Sequence, residues 1–203
     1  MRVEVNGYAV IISKKHNFIY IAVPKTGTHT IHNAFLKLDD EAIFVEGKNK
    51  DRKDRVNQSL YKHIKGSSLK VEIENYDTYF KFGFVRNPWD VVVSWVHYGG
   101  HSMDEGWATP TNLKKFPKYY WDSQCEWLFA GDRCLVDFIG RFENLQEDFN
   151  IVCDKIGIPR QELPCRNPTK HKHYTEYYDD ETRQIVAEKY AKDIEYFGYE
   201  FGE

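Results

Sequence analysis

The sequence predicts an α/β fold, a single domain over residues 1–203 with a central parallel β-sheet flanked by helices. Two features of the chain predict this class. Apolar runs typical of strands alternate with segments whose apolar residues recur at helical spacing, and two of these runs end in short polar loops that lead directly into a helix. A length of 203 residues suits one domain that buries a substantial core.

The predicted sheet begins with two strand-like runs, Tyr8–Ile12 and Phe18–Val23, joined by the polar sequence SKKHN, which is typical of a turn. After Pro24 the chain passes through the loop KTGTHT. Apolar residues at helical spacing follow from Ile31 to Leu38 and predict a helix. This order of strand, glycine-containing loop and helix is typical of a nucleotide-binding site.

A further strand is predicted at Phe80–Val85, where every second residue is Phe. The helix after it has clear N-terminal signals. Asn87 can cap it, Pro88 suits its first position, and Asp90 favours its first turn electrostatically. The run Val91–Val96 supplies its buried face, so the chain contains a second strand followed at once by a helix.

Toward the C-terminus the periodicity predicts mainly helices. The aromatic-rich stretch 107–127 is predicted to be loop with a short helix from about Pro117, and a short strand is expected at Leu135–Ile139. Amphipathic spacing predicts a helix over Leu145–Ile156 and a last helix over Val186–Phe197.

Composition argues against several classes of protein. The chain has 28 Lys and Arg against 31 Asp and Glu, a net charge of −3, which is not the electrostatic profile of a nucleic-acid-binding protein. No apolar run approaches the ~20 residues of a membrane span, and Glu4 and Asn6 interrupt any signal peptide. We therefore expect a soluble cytoplasmic protein with no membrane span and no nucleic-acid partner.

The cysteine pattern indicates no metal site. Cys125, Cys134, Cys153 and Cys165 form no CxxC pair with metal-ligand spacing. Reduced, mostly buried thiols are the expectation, and a disulfide between Cys125 and Cys134 is the alternative. The sequence does not indicate an oligomeric state.

The loop between Pro24 and the first helix has the composition of an anion site. Its backbone N–H groups and the helix dipole meet at one point, Lys25 adds a positive charge, and Thr28 and Thr30 add hydroxyl donors. It is not a Walker A loop, because its lysine precedes the only glycine, Gly27, whereas GxxxxGK[ST] places lysine after the second glycine. A plain turn with a helix cap is the other interpretation of these residues.

A second candidate anion site follows the strand at Phe80–Val85. Arg86 lies at the carboxyl end of that strand, where open α/β sheets bind their ligands, and its guanidinium can bind a phosphate through two hydrogen bonds. Ser94, about two helical turns further on, can share that phosphate. The alternatives are that Arg86 pairs with an acid and that Ser94 bonds back to a backbone carbonyl.

Together these segments resemble a known family. VPKTGTHTIHNAF followed by YFKFGFVRNPWDVVVSW resembles the paired signature of sulfotransferases that use 3′-phosphoadenosine 5′-phosphosulfate (PAPS), most closely their carbohydrate sulfotransferase branch. FIGRFENLQEDF and YYDDETRQIVAEKYAKDIEYFGYEF resemble the next two blocks of that branch, in the same order. The resemblance implies a P-loop-like sulfotransferase fold and transfer of a sulfuryl group from PAPS to a hydroxyl, with release of 3′-phosphoadenosine 5′-phosphate.

The resemblance also implies the residues of the site. It assigns the 3′-phosphate of the donor to Arg86 and Ser94 and places Phe142 near the adenine. It places the 5′-phosphosulfate on the loop residues Lys25, Thr26, Gly27, Thr28, His29 and Thr30. Sulfuryl transfer moves a loosely bonded planar group in line between two oxygens, so catalysis depends on positioning and charge stabilisation. We expect Lys25 to stabilise negative charge on the leaving phosphate oxygen, without a metal ion.

The acceptor hydroxyl needs a general base, and histidine is the first candidate. His63, in SLYKHIKGSSL, lies near where several carbohydrate sulfotransferases carry their base, and we predict it for this role. His29, or a carboxylate such as Glu72 or Glu74, is the alternative. The segment Lys48–Lys70 holds eight Lys or Arg and two Asp, a net +6, which would attract an anionic carbohydrate or glycoconjugate acceptor unless it is simply solvated surface.

Two other functions fit part of this pattern. A nucleotide or metabolite kinase with an atypical phosphate loop would bind ATP and depend on Mg²⁺, and the order of the loop residues argues against it. A non-catalytic module would bind a nucleotide or a sulfated glycan and transfer nothing.

Overall fold

A five-stranded β-sheet organises the first part of the chain. The computed structural model describes residues 10–39, 41–45, 75–98, 109–116, 121–163 and 172–203. The strands of the sheet are β1 (Val10–Ser13), β2 (Phe18–Ile21), β3 (Ile43–Val45), β4 (Phe80–Val85) and β7 (Phe138–Arg141), in the spatial order β3-β1-β2-β4-β7. Two short strands, β5 (Phe129–Ala130) and β6 (Arg133–Cys134), form a separate antiparallel pair.

The sheet is parallel at its centre and antiparallel at one side. β2 pairs with β4 and β4 with β7 in parallel, while β1 pairs antiparallel with both β2 and β3. The hairpin between β1 and β2 turns through Asn17, whose positive φ of 52° is typical of asparagine in tight turns. The α/β class and the parallel central strands predicted from sequence are confirmed, and the hairpin makes the sheet mixed.

The helices of the described residues are α1 (Thr28–Leu38), α2 (Pro88–Tyr98), α3 (Pro110–Lys114), α4 (Cys125–Leu128), α5 (Leu145–Ile156), α6 (Asp180–Lys189) and α7 (Ala191–Phe197). Single turns of 3₁₀-helix lie at Tyr76–Thr78, Phe142–Asn144 and Tyr174–Tyr177. Among the described residues no helix is long and apolar enough to cross a membrane.

The core of the sheet is largely aromatic. Phe35 of α1 packs on Phe18 of β2 with ring centroids 4.7 Å apart, and on Phe149 of α5 at 5.4 Å. The two helices therefore cover the face of the sheet that also presents Phe82 and Phe84. Burial of these rings supplies the hydrophobic free energy that fixes β2 and α1, and with them the loop that joins them.

The chain divides into two compact units. The sheet belongs to Met1–Val85 with Glu126–Arg166, and the second unit comprises Arg86–Cys125 with Asn167–Glu203. The expectation of one domain over residues 1–203 stays a prediction.

In the second unit α2 packs against α6 and against the 3₁₀ turn at Tyr174–Tyr177. Trp89 Nε1 donates to the backbone oxygen of Arg183 at 3.0 Å, and the Tyr178 hydroxyl donates to the backbone oxygen of Trp89 at 2.8 Å. Asn87 caps α2 as the sequence predicted, because its Oδ1 accepts from the Trp89 N–H at 3.2 Å.

Three predictions about individual helices and strands are corrected or lie partly outside the described residues. The expected last helix is two helices, because α6 ends before Tyr190 and α7 begins after it. The strand expected at Leu135–Ile139 begins only at Phe138, after the chain has left the β5–β6 pair. A helix beginning at Pro117 would lie partly outside the described residues.

The cysteines support the thiol interpretation. Cys125, Cys134 and Cys153 are free, so no disulfide joins Cys125 to Cys134, and Cys165 lies outside the described residues. Burial, reinforced by the nearby Asp193 carboxylate, raises the pKa of the Cys125 thiol to about 12. That thiol is therefore protonated at neutral pH and unsuited to nucleophilic chemistry.

Candidate functional site

The loop between β2 and α1 has an unusual backbone. Lys25, with φ +67°, and Gly27, with φ +80°, both lie in the left-handed region and are separated by Thr26. Left-handed residues in such a turn direct successive N–H groups toward one side and form a concavity suited to an anion. For Lys25 this conformation costs ~1–2 kcal/mol, and such strain is characteristic of functional loops.

α1 begins directly after this turn. The backbone oxygen of Gly27 accepts from the N–H groups of Thr30 at 2.9 Å and Ile31 at 3.2 Å. The N–H groups of Thr28 and His29 precede these first helical bonds, and no side chain caps the helix at Gly27. The positive end of the helix dipole therefore lies at the turn.

Two loop hydroxyls make hydrogen bonds to the backbone that precedes the loop. The hydroxyl of Thr26 donates to the backbone oxygen of Val23 at 2.9 Å, and the hydroxyl of Thr28 donates to the same oxygen at 3.0 Å. Both side chains are buried. They close the turn on itself, and the side chains on its more exposed side are Lys25, His29 and Thr30.

Phe142 lies against the same loop. It follows β7 in a 3₁₀ turn, and a Cβ placed on Gly27 would be 3.3 Å from its ring and 3.0 Å from Leu145. The close approach and the positive φ together require glycine at this position. The structure thus places Phe142 beside the loop, and its assignment to the adenine of the donor stays a prediction.

We expect Gly27→Ala to destabilise the protein by about 2–3 kcal/mol, since left-handed strain adds to the crowding against Leu145 and Phe142. Gly131→Ala is the matched control, because Gly131 has φ +63° with nothing within 4 Å of its would-be Cβ. Urea unfolding of both variants isolates the crowding. Equal losses of unfolding free energy would show that the contact with Phe142 is unimportant.

Arg86 and Ser94 lie in the second unit. Arg86 is 8% exposed, and its Nε and Nη2 donate to Oδ2 of Asp90 at 2.8 and 2.7 Å. The alternative foreseen for Arg86, an ion pair with an acid, is therefore present. The pair fixes the plane of the guanidinium group.

Ser94 lies two turns into α2 and is half-buried. Within the part of the chain that the structure describes, its hydroxyl donates to no backbone carbonyl, so the foreseen alternative for this side chain is not seen. The position remains compatible with a ligand hydrogen bond.

Two histidines of the described residues are held by contacts with their own surroundings. His32 is fully buried, with its ring edge-on to Tyr20 at 5.6 Å, and His97 bonds a carbonyl of its own helix at 2.9 Å. His29 is exposed at the start of α1. His63, the predicted base, lies outside the described residues.

Sequence reasoning missed two residues beside Arg86. Gln124 makes two hydrogen bonds to the Arg86 backbone, and Asp193 holds Gln124. Neither residue belongs to a recognisable motif, and they lie 38 and 107 positions from Arg86 in the chain. No metal-binding cluster of His, Cys, Asp or Glu occurs within the described ranges.

Comparison with known proteins gives one family match, two related proteins and no matching structure. A family model described as "Sulfotransferase family" matches residues 8–98 and 115–200. Human carbohydrate sulfotransferase 9 is 26% identical over 223 aligned residues, covering 91% of this chain, which spans about half of the human protein (48%). An uncharacterised protein of Archaeoglobus fulgidus is 36% identical over 118 residues, covering 55% of this chain and 88% of that protein. No solved structure matches the chain significantly.

Proposed function

Because the chain belongs to the sulfotransferase family, we propose that it moves a sulfuryl group from PAPS to a hydroxyl group of a carbohydrate or glycoconjugate. The observation that carries the proposal is the turn after β2. There Lys25 and Gly27 adopt left-handed backbone just before α1, which brings backbone N–H groups and the positive end of a helix dipole together in a turn that also carries a lysine.

Each of the two units, taken by itself, offers groups suited to one end of the donor. The turn suits the 5′-phosphosulfate, because Gly27 allows the backbone to approach where a Cβ would meet Phe142 and Leu145. Arg86, oriented by Asp90, suits the 3′-phosphate, with Ser94 as a second donor. Phe142, which lies against the turn, offers an aromatic ring to the adenine.

The bound donor would supply an activated sulfuryl group whose leaving group is a phosphate oxygen. Lys25 would hold its positive charge beside that oxygen, where negative charge develops. His63 would take the proton of the acceptor hydroxyl, and His29, Glu72 or Glu74 is the alternative base. In this proposal the protein contributes position and charge, and no metal ion takes part.

The carbohydrate acceptor is proposed from the relative. Human carbohydrate sulfotransferase 9 aligns with 91% of this chain, and its name states the acceptor class. The basic segment Lys48–Lys70, with its net +6, would favour an anionic glycan.

A transfer assay tests the function. We expect radiolabelled PAPS to transfer its label to a glycan when the protein is incubated with glycans, lipids, phenols and peptides, and to do so without Mg²⁺. Label on a phenol or peptide alone would refute the carbohydrate acceptor. Phosphorylation from labelled ATP and Mg²⁺, or nucleotide binding without any transfer, would replace the proposal by a kinase or a binding module.

Nucleotide binding tests the donor. We expect 3′-phosphoadenosine 5′-phosphate to bind about 100-fold more tightly than 5′-AMP, because a charge-assisted pair with Arg86 contributes ~1.5–3 kcal/mol. Isothermal titration calorimetry gives both dissociation constants. Equal affinities would show that Arg86 and Ser94 do not bind a 3′-phosphate.

A further inference from the structure

Arg86 is held by more than its ion pair with Asp90. Its backbone N–H donates to Oε1 of Gln124 at 2.8 Å, and its backbone oxygen accepts from Nε2 of Gln124 at 2.7 Å. One side-chain amide therefore satisfies both backbone polar groups of Arg86, as a neighbouring strand would. Gln124 is 2% exposed, so solvent has little access to replace these bonds.

Gln124 is fixed in turn by Asp193 of α7. The Gln124 N–H donates to Oδ2 of Asp193 at 2.8 Å, the Cys125 N–H donates to Oδ1 at 3.2 Å, and the Ser123 hydroxyl also donates to Oδ1. Asp193 is fully buried. Burial raises the pKa of its carboxyl, and these three hydrogen bonds oppose the rise. The carboxyl thus anchors the backbone that carries Gln124.

We infer that Gln124 is a positioning residue that holds Arg86 in the orientation needed for the 3′-phosphate of the donor. The inference rests on the proposed function, since that function gives Arg86 its ligand. Arg86 is restrained at both ends, its guanidinium by Asp90 and its backbone by Gln124. A guanidinium ordered in advance loses less conformational freedom on binding, so more of each hydrogen bond appears as affinity.

Gln124 should therefore affect the discrimination between nucleotides with and without a 3′-phosphate more than it affects nucleotide affinity in general. Gln124 acts through Arg86, and Arg86 is proposed to contact only the 3′-phosphate. Loss of Gln124 should therefore weaken binding of 3′-phosphorylated nucleotides while leaving nucleotides without that group little changed.

Gln124→Met tests this, because it keeps the length of the side chain and removes both hydrogen bonds to Arg86. The readout is the dissociation constant of 5′-AMP divided by that of 3′-phosphoadenosine 5′-phosphate, both measured by calorimetry on the full chain. We expect this ratio to fall at least ~10-fold relative to wild type, with the affinity for 5′-AMP changed less than ~3-fold.

Gln146→Met is the matched control. The Gln146 amide also bridges backbone groups, since Nε2 donates to the Gln161 oxygen at 2.9 Å and Oε1 accepts from the Leu163 N–H at 2.8 Å. The same substitution thus removes the same kind of bonds in the other unit. We expect it to lower the melting temperature and to leave the nucleotide ratio at the wild-type value.

The outcomes separate the inference from the proposed function. An unchanged ratio in folded Gln124→Met, or an equal loss of affinity for both nucleotides, overturns the positioning role. If Gln124→Met does not fold, Gln124→Asn replaces it, because this substitution shortens the side chain by one methylene and withdraws the amide from Arg86. The same ratio of dissociation constants is then measured for Gln124→Asn. A wild-type ratio near one instead refutes the 3′-phosphate site, and the inference with it.

Discussion

Lys25→Ala should lower kcat by about 10²- to 10³-fold, the loss typical of removing one group that stabilises charge in a transition state. Lys25 lies on the more exposed side of the turn before α1, in the left-handed region with φ +67°. Its charge matters most when the leaving oxygen becomes negative, so kcat should fall more than donor affinity. Initial rates at saturating PAPS and acceptor, with calorimetry of the product nucleotide, measure the two effects separately.

The control for Lys25→Ala is Lys37→Ala, which removes an exposed lysine from the last turn of α1. It should leave kcat within about twofold of wild type, because surface charges away from the turn are screened by salt. A kcat for Lys25→Ala within fivefold of wild type would remove Lys25 from the reaction.

Lys25→Gly adds a test of the backbone. A left-handed non-glycine residue costs ~1–2 kcal/mol, whereas glycine loses ~0.5–1 kcal/mol more backbone entropy on folding. Because the strain is larger than this entropy loss, the free energy of unfolding of Lys25→Gly should exceed that of Lys25→Ala by about 0.5–1 kcal/mol. The two variants should have the same low kcat. Equal stability of the two variants would show that the turn is not strained.

The parts of the fold that were predicted correctly depend on local chemistry. The hairpin from β1 to β2 follows from two apolar runs around a polar turn, and the start of α2 follows from Asn87 and Pro88, which act on groups two or three residues away. The Arg86–Asp90 pair is also local, at i and i+4, and was foreseen as an alternative for Arg86.

The parts that were missed depend on the tertiary fold. Gln124 meets the backbone of Arg86 in a part of the fold where Asp193 of α7 also holds residues 123–125, and no spacing rule links positions so far apart. The inward hydroxyls of Thr26 and Thr28 likewise depend on the Val23 carbonyl, which accepts a hydrogen bond from each. Composition can indicate an anion site, whereas the direction in which each donor points depends on the conformation of the backbone.

The second large loss of kcat is expected when the general base is removed. His63→Ala should lower kcat by at least ~10²-fold, the lower end of what general base catalysis contributes. The affinity for 3′-phosphoadenosine 5′-phosphate should change little, because the base acts on the acceptor hydroxyl. His16→Ala, in the turn between β1 and β2, is the control and should retain the wild-type kcat.

The pH profile identifies the base among its alternatives. An ordinary histidine loses a proton near pH 6.5 and a glutamic acid near pH 4.3, so a histidine base makes kcat/KM fall as the pH drops below ~6.5. If His63 is the base, this fall should disappear in His63→Ala and persist in His29→Ala. The reverse pattern would transfer the role to His29. If kcat/KM of the wild type falls only near pH 4–5, and this fall is lost in Glu72→Gln or Glu74→Gln, the base is a carboxylate. The reason is that the pKa of the group that must be deprotonated sets the pH at which the acidic side of the profile falls.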